Sequence, residues 1–337
     1  MEQKLKTKLL LATLIIAVAH FNAFSQVQFL KSSIQEAFLK AKKENKAVFV
    51  EIYADGCHHC EAFKKTFDSN KKVGDYFNQN FVSYQVEVNS EEGRKFRKDR
   101  NIYVMSTPLM TFWSADSTLL NIVPAGDEQN NENGILEFAK KALEPQSQWQ
   151  TQKKAFYSGE NNPNFLINLA YLARYTSDTL LNLEAMNRYA AYLSLDNFKN
   201  DAFVVIQKVL MDDENALFMH CINNLEEYYQ KYGEKTVNDA IENIVMFSLY
   251  SSRAQNYNLS KLEFMKLVLK KIGVDERSIN ASFLLSETNL LLKMGQRGQV
   301  IQKFQNYINS NQKISKEVTD LFTFVLVSLT EVKQFAI

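Results

Sequence analysis

The sequence predicts an α/β fold, with a central mixed sheet flanked by helices, followed by an all-α domain. Helical and strand-like patterns of apolar residues alternate between residues 29 and 143. After residue 148 only helical spacing continues. The chain has 10 Gly and 4 Pro among 337 residues, and so few helix breakers favour long helices. We therefore expect an α/β domain over residues 26–145 and an all-helical domain over residues 146–337.

The first 25 residues have the layout of a secretory signal peptide. Three lysines within the first eight residues precede an apolar run from Leu9 to Ala19, which is too short for a membrane span of roughly 20 residues. Ala23 and Ser25 are small residues at positions −3 and −1 of a cut before Gln26. An uncleaved anchor or a buried N-terminal helix is the alternative. We expect cleavage near Ser25/Gln26, a periplasmic or secreted protein, and no stable membrane span in the mature chain.

The elements of the first domain follow from the spacing of apolar residues. Ala47–Tyr53 is an apolar run interrupted by one acid, Glu51, which indicates a buried strand. Cys60, Phe63 and Phe67 share one stripe, which indicates a helix. The predicted order is a helix over Ser33–Asn45, a strand over Ala47–Tyr53, helices over Cys57–Asp68 and Lys71–Asn80, a strand over Phe81–Val88, a helix over Ser90–Arg100, strands over Leu109–Trp113 and Thr118–Val123, a polar loop over Gly126–Gly134 and a helix over Ile135–Leu143.

Helical periodicity alone describes the second domain. Asn162-Pro163 has the form of an N-cap followed by proline at the first helical position. The spacing between helix pairs is irregular, near 40 residues, and the full tetratricopeptide signature is absent. We expect a solenoid-like stack of helix pairs. The apolar stripes that support it lie over Phe165–Ala173, Leu183–Leu193, Leu217–Leu225, Leu262–Leu269, Ser282–Met294, Val300–Ile308 and Val318–Val332.

Charge and cysteine content exclude several classes of protein. The 39 basic and 38 acidic residues give a net charge of +1, so we expect no nucleic-acid partner. Three cysteines are too few for a disulfide-dense scaffold or a four-cysteine zinc site. Cys221 lies on an apolar helical stripe, where a buried, inert thiol is expected.

The segment Cys57-His58-His59-Cys60 contains the candidate residues for thiol–disulfide chemistry. It follows a predicted buried strand and opens a predicted helix, so positions i and i+3 place both sulfurs on one helical turn, where they can form a disulfide. At a helix N-terminus, the dipole and the unpaired N–H groups favour the Cys57 thiolate. Cys60 lies one turn deeper. These features indicate that Cys57 is a nucleophile and Cys60 the resolving thiol.

Two other interpretations of this motif remain open. A zinc site needs two ligands beyond the cysteines, and His58 and His59 are held on the same short turn, so no metal is expected. An inert structural disulfide is the second alternative. A loop this short gains little stability from cross-linking, because that gain increases with loop length.

Residues 30–143 resemble the thioredoxin-like superfamily. The similarity rests on a strand, then Cys57-His58-His59-Cys60 at a helix start, then Thr107-Pro108 before another strand. It is closest in pattern to secreted thioredoxin-like proteins and to the thioredoxin-like end domain of transmembrane electron-conducting reductases. The resemblance implies a thioredoxin-like fold, a cis bond before Pro108 beside the sulfurs, and a Thr107 backbone that pairs with an extended substrate. An ordinary proline at the start of a strand is the alternative.

The resemblance also assigns Glu51, six residues before Cys57. The family has a buried acid there, usually Asp, that moves the proton of the resolving thiol, and a buried carboxyl has a raised pKa. The alternative is a glutamate that faces solvent at the sheet edge.

Two departures from the family pattern bear on the cysteines. Gly56 replaces the family's tryptophan, so an aromatic lid is missing, and Gly56 and His58 are expected to border the substrate with Thr107 and Pro108. His59 lies directly before the second cysteine, and a histidine at the matching position also occurs in disulfide isomerases and in the strong oxidant of the periplasm. It stabilises the thiolate and should make the pair less reducing than thioredoxin, which lies near about −270 mV.

Together these observations predict an exported thiol–disulfide oxidoreductase that exchanges disulfides with protein thiols through Cys57 and Cys60. It needs no cofactor, since a partner dithiol donates or accepts the electrons, and its direction as reductase, isomerase or oxidase stays open. The helical domain is expected to bind a protein partner. The alternative is a redox-inactive or redox-sensing adaptor in which the helices carry the function.

Overall fold

The computed structural model describes residues 26–193, 202–310 and 320. The predicted signal peptide lies outside the described residues, as does the predicted stripe Val318–Val332 apart from residue 320. The chain divides into two compact units, with the division between Glu160 and Asn161. None of the described helices is long and apolar enough to cross a membrane.

A four-stranded mixed sheet forms the centre of the first unit. Its strands are β1 (Ala47–Tyr53), β2 (Phe81–Glu87), β3 (Leu109–Trp113) and β4 (Leu119–Pro124), in the order β2-β1-β3-β4. Strand β1 runs parallel to β2 and antiparallel to β3, and β3 runs antiparallel to β4. The central position of β1 explains why its sequence is almost entirely apolar.

Six helices belong to the described part of the first unit, and polar side chains cap most of their N-termini. Ser33, Asn70, Ser90 and Asn131 each accept a hydrogen bond from a backbone N–H of the first turn. The helices are α1 (Ile34–Glu44), α2 (His58–Ser69), α3 (Lys71–Asn80), α4 (Glu91–Asp99), α5 (Glu132–Leu143) and α6 (Trp149–Tyr157).

Phenylalanine side chains hold α2, α3 and α5 on one face of the sheet. Phe49 of β1 is fully buried, with ring centroids 5.8 Å from Phe67 of α2 and 4.9 Å from Phe77 of α3. Phe112 of β3 stacks on Phe49 at 5.1 Å and lies 5.9 Å from Phe138 of α5. This packing fixes α2, which begins at the cysteines, over the central strand.

The predicted loop over Gly126–Gly134 is wrong at its end, because α5 begins at Glu132. Asn131 caps that helix through a hydrogen bond from the Gly134 N–H at 3.0 Å, so the glycine lies in the first turn. A short 3-10 helix, Asp127–Gln129, occupies the start of the segment. Helix α6 lies at the start of the region predicted to be all-helical, and it packs against β4.

The described residues of the second unit form helices joined by turns and contain no strand, which confirms the all-α prediction. Asn162 caps α7 and Pro163 opens it, as expected. The stripe Leu217–Leu225 is interrupted at Asn224 into two helices, although Leu217, Cys221 and Leu225 are all buried. Solenoid-like stacking stays a prediction. The helices are α7 (Pro163–Tyr175), α8 (Thr179–Ala190), α9 (Ala202–Lys208), α10 (Ala216–Asn223), α11 (Leu225–Tyr232), α12 (Glu234–Leu249), α13 (Leu259–Lys271), α14 (Glu276–Lys293) and α15 (Arg297–Ser310).

Candidate active site

Cys57 and Cys60 form a disulfide at the start of α2, with their Cα atoms 5.3 Å apart. Cys57 is the N-cap rather than the first helical residue, and its Sγ accepts a hydrogen bond from the Cys60 N–H at 3.1 Å. Cys57 is half-buried, whereas Cys60 is buried on the face of α2 that meets the sheet. The difference in accessibility suits Cys57 for attack on an incoming disulfide and Cys60 for the internal step.

Gly56 makes the turn between β1 and α2. Its φ of +73° lies in the left-handed region, where a side chain is strained. The Cys57 N–H then donates to the Ala54 carbonyl at 3.2 Å and closes the turn. A tryptophan at this position would be strained, which gives a structural reason for the missing aromatic lid.

The Thr107–Pro108 peptide bond is cis, as the resemblance implies. The Thr107 carbonyl oxygen lies 3.5 Å from Cys57 Sγ, so a reduced Cys57 can donate a weak hydrogen bond to it. Pro108 is buried directly before the first residue of β3, and its carbonyl accepts a hydrogen bond from the Ala125 N–H at 3.3 Å. The structure thus brings Thr107 and Pro108 to the sulfurs. Their contact with a substrate stays a prediction.

Glu51 is buried in the middle of the sheet, with 1% of its surface exposed. Strands β2 and β3 flank β1, so the alternative of a solvent-facing glutamate at the sheet edge is wrong. The parallel register places Gln85 beside it, and the Gln85 amide donates to Glu51 Oε2 at 2.7 Å. Glu51 Oε1 has no hydrogen-bond partner among the described residues. Burial raises the pKa of Glu51 to about 7, against the opposing effects of the Gln85 hydrogen bond and the charge of Lys64.

Glu51 and Cys60 project into the same space between β1 and α2. Side chains alternate along a strand, so Glu51 shares the face of Phe49, which packs against Phe67 of α2. Cys60 lies on the same buried stripe of α2 as Phe67. The site therefore combines a disulfide with an acid that can hold or give up a proton near neutral pH.

The two histidines between the cysteines differ in exposure and in their contacts. His58 is exposed, and its ring centroid is 4.5 Å from that of His59. His59 Nδ1 lies 2.7 Å from Asp127 Oδ1, in the 3-10 helix after β4. Neither Asp127 nor Gln85 is among the site residues predicted from the sequence. Strand alternation together with a parallel β1–β2 register would have found Gln85. No sequence pattern connects Asp127 with His59, which is 68 residues away.

The third cysteine takes no part in this site. Cys221 belongs to the second unit and is fully buried, which confirms the expected burial. Burial raises the pKa of its thiol to about 12, so it is protonated at neutral pH.

A comparison with protein families identifies the first unit. Residues 29–115 match a family model described as thioredoxin-like. The match includes β1, α2 and β3, and hence Glu51, both cysteines and Pro108. The first unit therefore contains a thioredoxin-like domain, as the sequence predicts.

Known proteins are similar to only part of the chain. Spermatogenesis-associated protein 20 of Homo sapiens is 30% identical over 145 residues, which is 42% of this chain and 18% of that protein. Thiol:disulfide interchange protein DsbD of Vibrio cholerae is 30% identical over 94 residues, which is 27% of this chain and 16% of that protein. The chain thus spans 7% to 18% of the length of the curated relatives it matches.

Solved structures also cover about a third of the chain. A putative disulphide-isomerase from Bacteroides thetaiotaomicron covers 36% of this chain and 98% of its own length, at 23% identity and a TM-score of 0.32.

Proposed function

We propose that this chain, which contains a thioredoxin-like domain over residues 29–115, is an exported thiol–disulfide oxidoreductase of protein substrates. One observation carries the proposal. The Cys57–Cys60 disulfide opens α2 beside the cis Thr107–Pro108 bond and over the buried Glu51. The partial similarity to a thiol:disulfide interchange protein supports the same reaction class.

In the reducing direction, the Cys57 thiolate attacks one sulfur of a substrate disulfide. A Cys57–substrate disulfide forms, and the second substrate sulfur leaves as a thiolate. The N-terminus of α2 and the Cys60 N–H, which already donates to Cys57 Sγ at 3.1 Å, stabilise the attacking anion. The Thr107 carbonyl, 3.5 Å from the sulfur, marks the side on which the substrate backbone approaches.

Cys60 completes the exchange. Its thiol loses a proton to Glu51 and attacks Cys57 Sγ, so the Cys57–Cys60 disulfide forms and the second substrate sulfur leaves as a thiolate. The two substrate thiolates take up protons from water, and Glu51 returns its proton to water. A carboxyl with a pKa of about 7 can accept that proton at neutral pH and return it in the reverse direction. The two electrons come from a partner dithiol, so the reaction needs no cofactor. The oxidising direction is the same sequence run backwards.

Trapping variants test the reaction in the full mature chain. Cys60→Ser should accumulate mixed disulfides through Cys57, whereas Cys57→Ser should form none. Cys221→Ala is the matched control, because it removes the remaining cysteine from a buried position outside the site. Trapping that persists in Cys57→Ser would overturn the assigned roles.

The reduction potential decides the direction. We propose that His59 makes the pair less reducing than thioredoxin, so equilibration with glutathione should give a value above about −270 mV. A value at or below that would indicate a reductant. If the two thiols form no reversible disulfide, the enzymatic proposal fails.

Export and partner binding are further parts of the proposal. The layout of residues 1–25 supports export, and mass spectrometry of the protein from its native cell should find Gln26 at the N-terminus. We propose that the helical unit binds a protein partner. A partner that copurifies with the Cys57→Ser/Cys60→Ser double variant binds independently of disulfide exchange. If that variant also retains the cellular phenotype, the chain is an adaptor rather than an enzyme.

A further inference from the structure

Asp127 is an acid in contact with the active-site motif to which the proposed reaction gives no role. Its Oδ1 lies 2.7 Å from His59 Nδ1, within hydrogen-bond distance. The side chains are 63% and 46% exposed, respectively, so neither is needed to fill the core. Asp127 is therefore free of a packing role, and its contact with His59 can orient that ring.

The backbone around Asp127 is anchored to the site on several sides. We call residues 125–131 the acid loop. The Ala125 N–H donates to the carbonyl of Pro108, which ties the loop to the cis proline. At the far end Thr66 of α2 donates its hydroxyl to Asn130 Oδ1 at 2.9 Å. The carboxylate is thus held beside the first turn of α2 by contacts with that helix and with Pro108.

Close packing against α5 further restrains the acid loop. A Cβ at Gly134 would lie 2.6 Å from the Gln129 carbonyl oxygen, so only glycine allows this approach. Gln129 Oε1 accepts from the Gly126 N–H at 2.9 Å and fixes the turn before Asp127. A loop built in this way presents Asp127 in one place, where its charge has a defined effect.

The anions near His59 differ between the two redox states of the cysteine pair. In the disulfide form neither sulfur is charged, and Asp127 is the anion beside His59. On reduction the Cys57 thiolate becomes a second anion at the same helix start. His59 already donates a hydrogen bond to Asp127, and the negative charge of that carboxylate disfavours a second anion close by. His59 therefore stabilises the thiolate less than a histidine without this partner would.

We propose that Asp127 is a positioning residue that competes with the Cys57 thiolate for His59 and so makes the cysteine pair more reducing than its histidines alone would make it. This inference rests on the proposed oxidoreductase function. It assigns the acid loop to the control of potential.

Asp127→Asn tests the inference in the full mature chain. The variant keeps a side chain of the same shape but removes the negative charge beside His59. The equilibrium constant for reduction of the disulfide by glutathione should increase by about threefold, within the range for an exposed ion pair. An unchanged or smaller constant would overturn the inference.

Glu128→Gln is the matched control. Glu128 is an exposed acid in the same loop, and its backbone carbonyl accepts a hydrogen bond from the Asn131 side-chain amide at 2.9 Å. It should leave the constant within about 1.3-fold of the wild type, because no contact links its side chain to His59. An equal effect in both variants would show a general charge effect and overturn the specific role of Asp127.

A double-variant cycle separates action through His59 from direct action on the sulfur. In a His59→Ala background, Asp127→Asn should change the constant by less than about 1.5-fold. A full threefold change there would show that Asp127 does not act through His59. If the wild-type disulfide does not equilibrate with glutathione, the proposed function fails together with this inference. A normal wild type with an unresponsive Asp127→Asn overturns the inference alone.

Discussion

The buried carboxylates of the two compact units differ in their hydrogen-bond partners. In the thioredoxin-like unit, Glu51 accepts its hydrogen bond from a neutral amide, that of Gln85. In the helical unit, Asp213 is equally buried but accepts from Lys261 Nζ and from Ser248 Oγ, each at 2.7 Å. A cation beside a buried acid stabilises its charged form, whereas burial without one favours the protonated form.

Glu287 and Glu51 show the consequence for proton binding. Burial raises the pKa of Glu287, but hydrogen bonds from Lys266 and Lys303 outweigh it and leave that pKa below its ordinary value. At Glu51 burial has the larger effect, and the pKa rises to about 7. The neutral partner therefore leaves Glu51 able to exchange a proton at neutral pH, while the cationic partners keep Glu287 charged as a link between α13, α14 and α15.

The largest expected effect comes from breaking an ion pair in the helical unit. Asp213→Ala removes the closest anion of Lys261, whose side chain is 14% exposed, and leaves Glu214 at 3.2 Å as its ion-pair partner. We expect this variant to lose about 3 kcal/mol or more of stability, at the lower end of the range for one partner removed from a buried pair. Hydrogen exchange of α12 and α13, measured by mass spectrometry in the full chain, reports the loss.

Asp239→Ala is the control for that loss. Asp239 pairs with Lys235 at the surface of α12, where the two side chains are 54% and 87% exposed. Its removal should cost less than about 0.5 kcal/mol. Similar losses in the two variants would mean that burial does not decide the strength of these pairs.

Glu51→Gln should stabilise the thioredoxin-like unit at alkaline pH. The raised pKa means that the folded unit binds the Glu51 proton more tightly than the unfolded chain. The stabilisation from that proton is present below about pH 4.5 and is lost as the pH rises to about 7. Glutamine avoids this loss, so the variant should gain about 3 kcal/mol at pH 8 and almost nothing near pH 4.5.

Tryptophan fluorescence during denaturant unfolding follows the first unit selectively. The two tryptophans of the chain, Trp113 and Trp149, both belong to it. A gain of the same size at both pH values would show that the effect is not titration of Glu51. The variant should also slow the attack of Cys60 on the mixed disulfide by about tenfold or more at pH 7, as expected for loss of a general base.

Gln85→Lys would give Glu51 the kind of partner that the helical unit uses. An ammonium beside the carboxylate favours its charged form, so the pKa of Glu51 should fall by at least about one pH unit. Carbon-13 NMR of labelled glutamate, followed against pH, measures it. Gln85→Met is the control without charge, and it should raise the pKa because the hydrogen bond is lost. A fall in both variants would contradict the contrast between neutral and cationic partners.

The parts of this site that the sequence predicts are those determined by neighbouring residues. Strands β1 and β3 match their predicted bounds because each is a short apolar run between turn residues. Cys57 and Cys60 are recognised from one helical turn. The start of α5 was misplaced because glycine indicates a loop, whereas Gly134 lies in a helix and admits the Gln129 carbonyl.

The partners of Glu51 and His59 depend on the tertiary fold. Gln85 reaches Glu51 through the parallel register of β1 and β2, and Asp127 reaches His59 from a loop beyond β4. Burial of Glu51 likewise follows from the strand order, which places β1 between β2 and β3. None of these relations produces a periodic pattern in the sequence. The sequence therefore shows that these residues are present, but it does not show which of them are in contact.

The smallest effect concerns His59, where charge is exposed rather than buried. His59→Pro removes the imidazole that favours the Cys57 thiolate, so the reduction potential should fall by about 30 mV, or roughly 1.4 kcal/mol. Proline is tolerated in the first turn of a helix, and the N-cap hydrogen bond of α2 comes from the Cys60 N–H rather than from residue 59. His58→Ala, which alters the exposed ring without contact to Asp127, serves as the comparison and should give a smaller change. An unchanged potential in His59→Pro would mean that the helix N-terminus alone determines the stability of the Cys57 thiolate. The exposed pair His59–Asp127 would then contribute as little to the reduction potential as Lys235–Asp239 contributes to the stability of the helical unit.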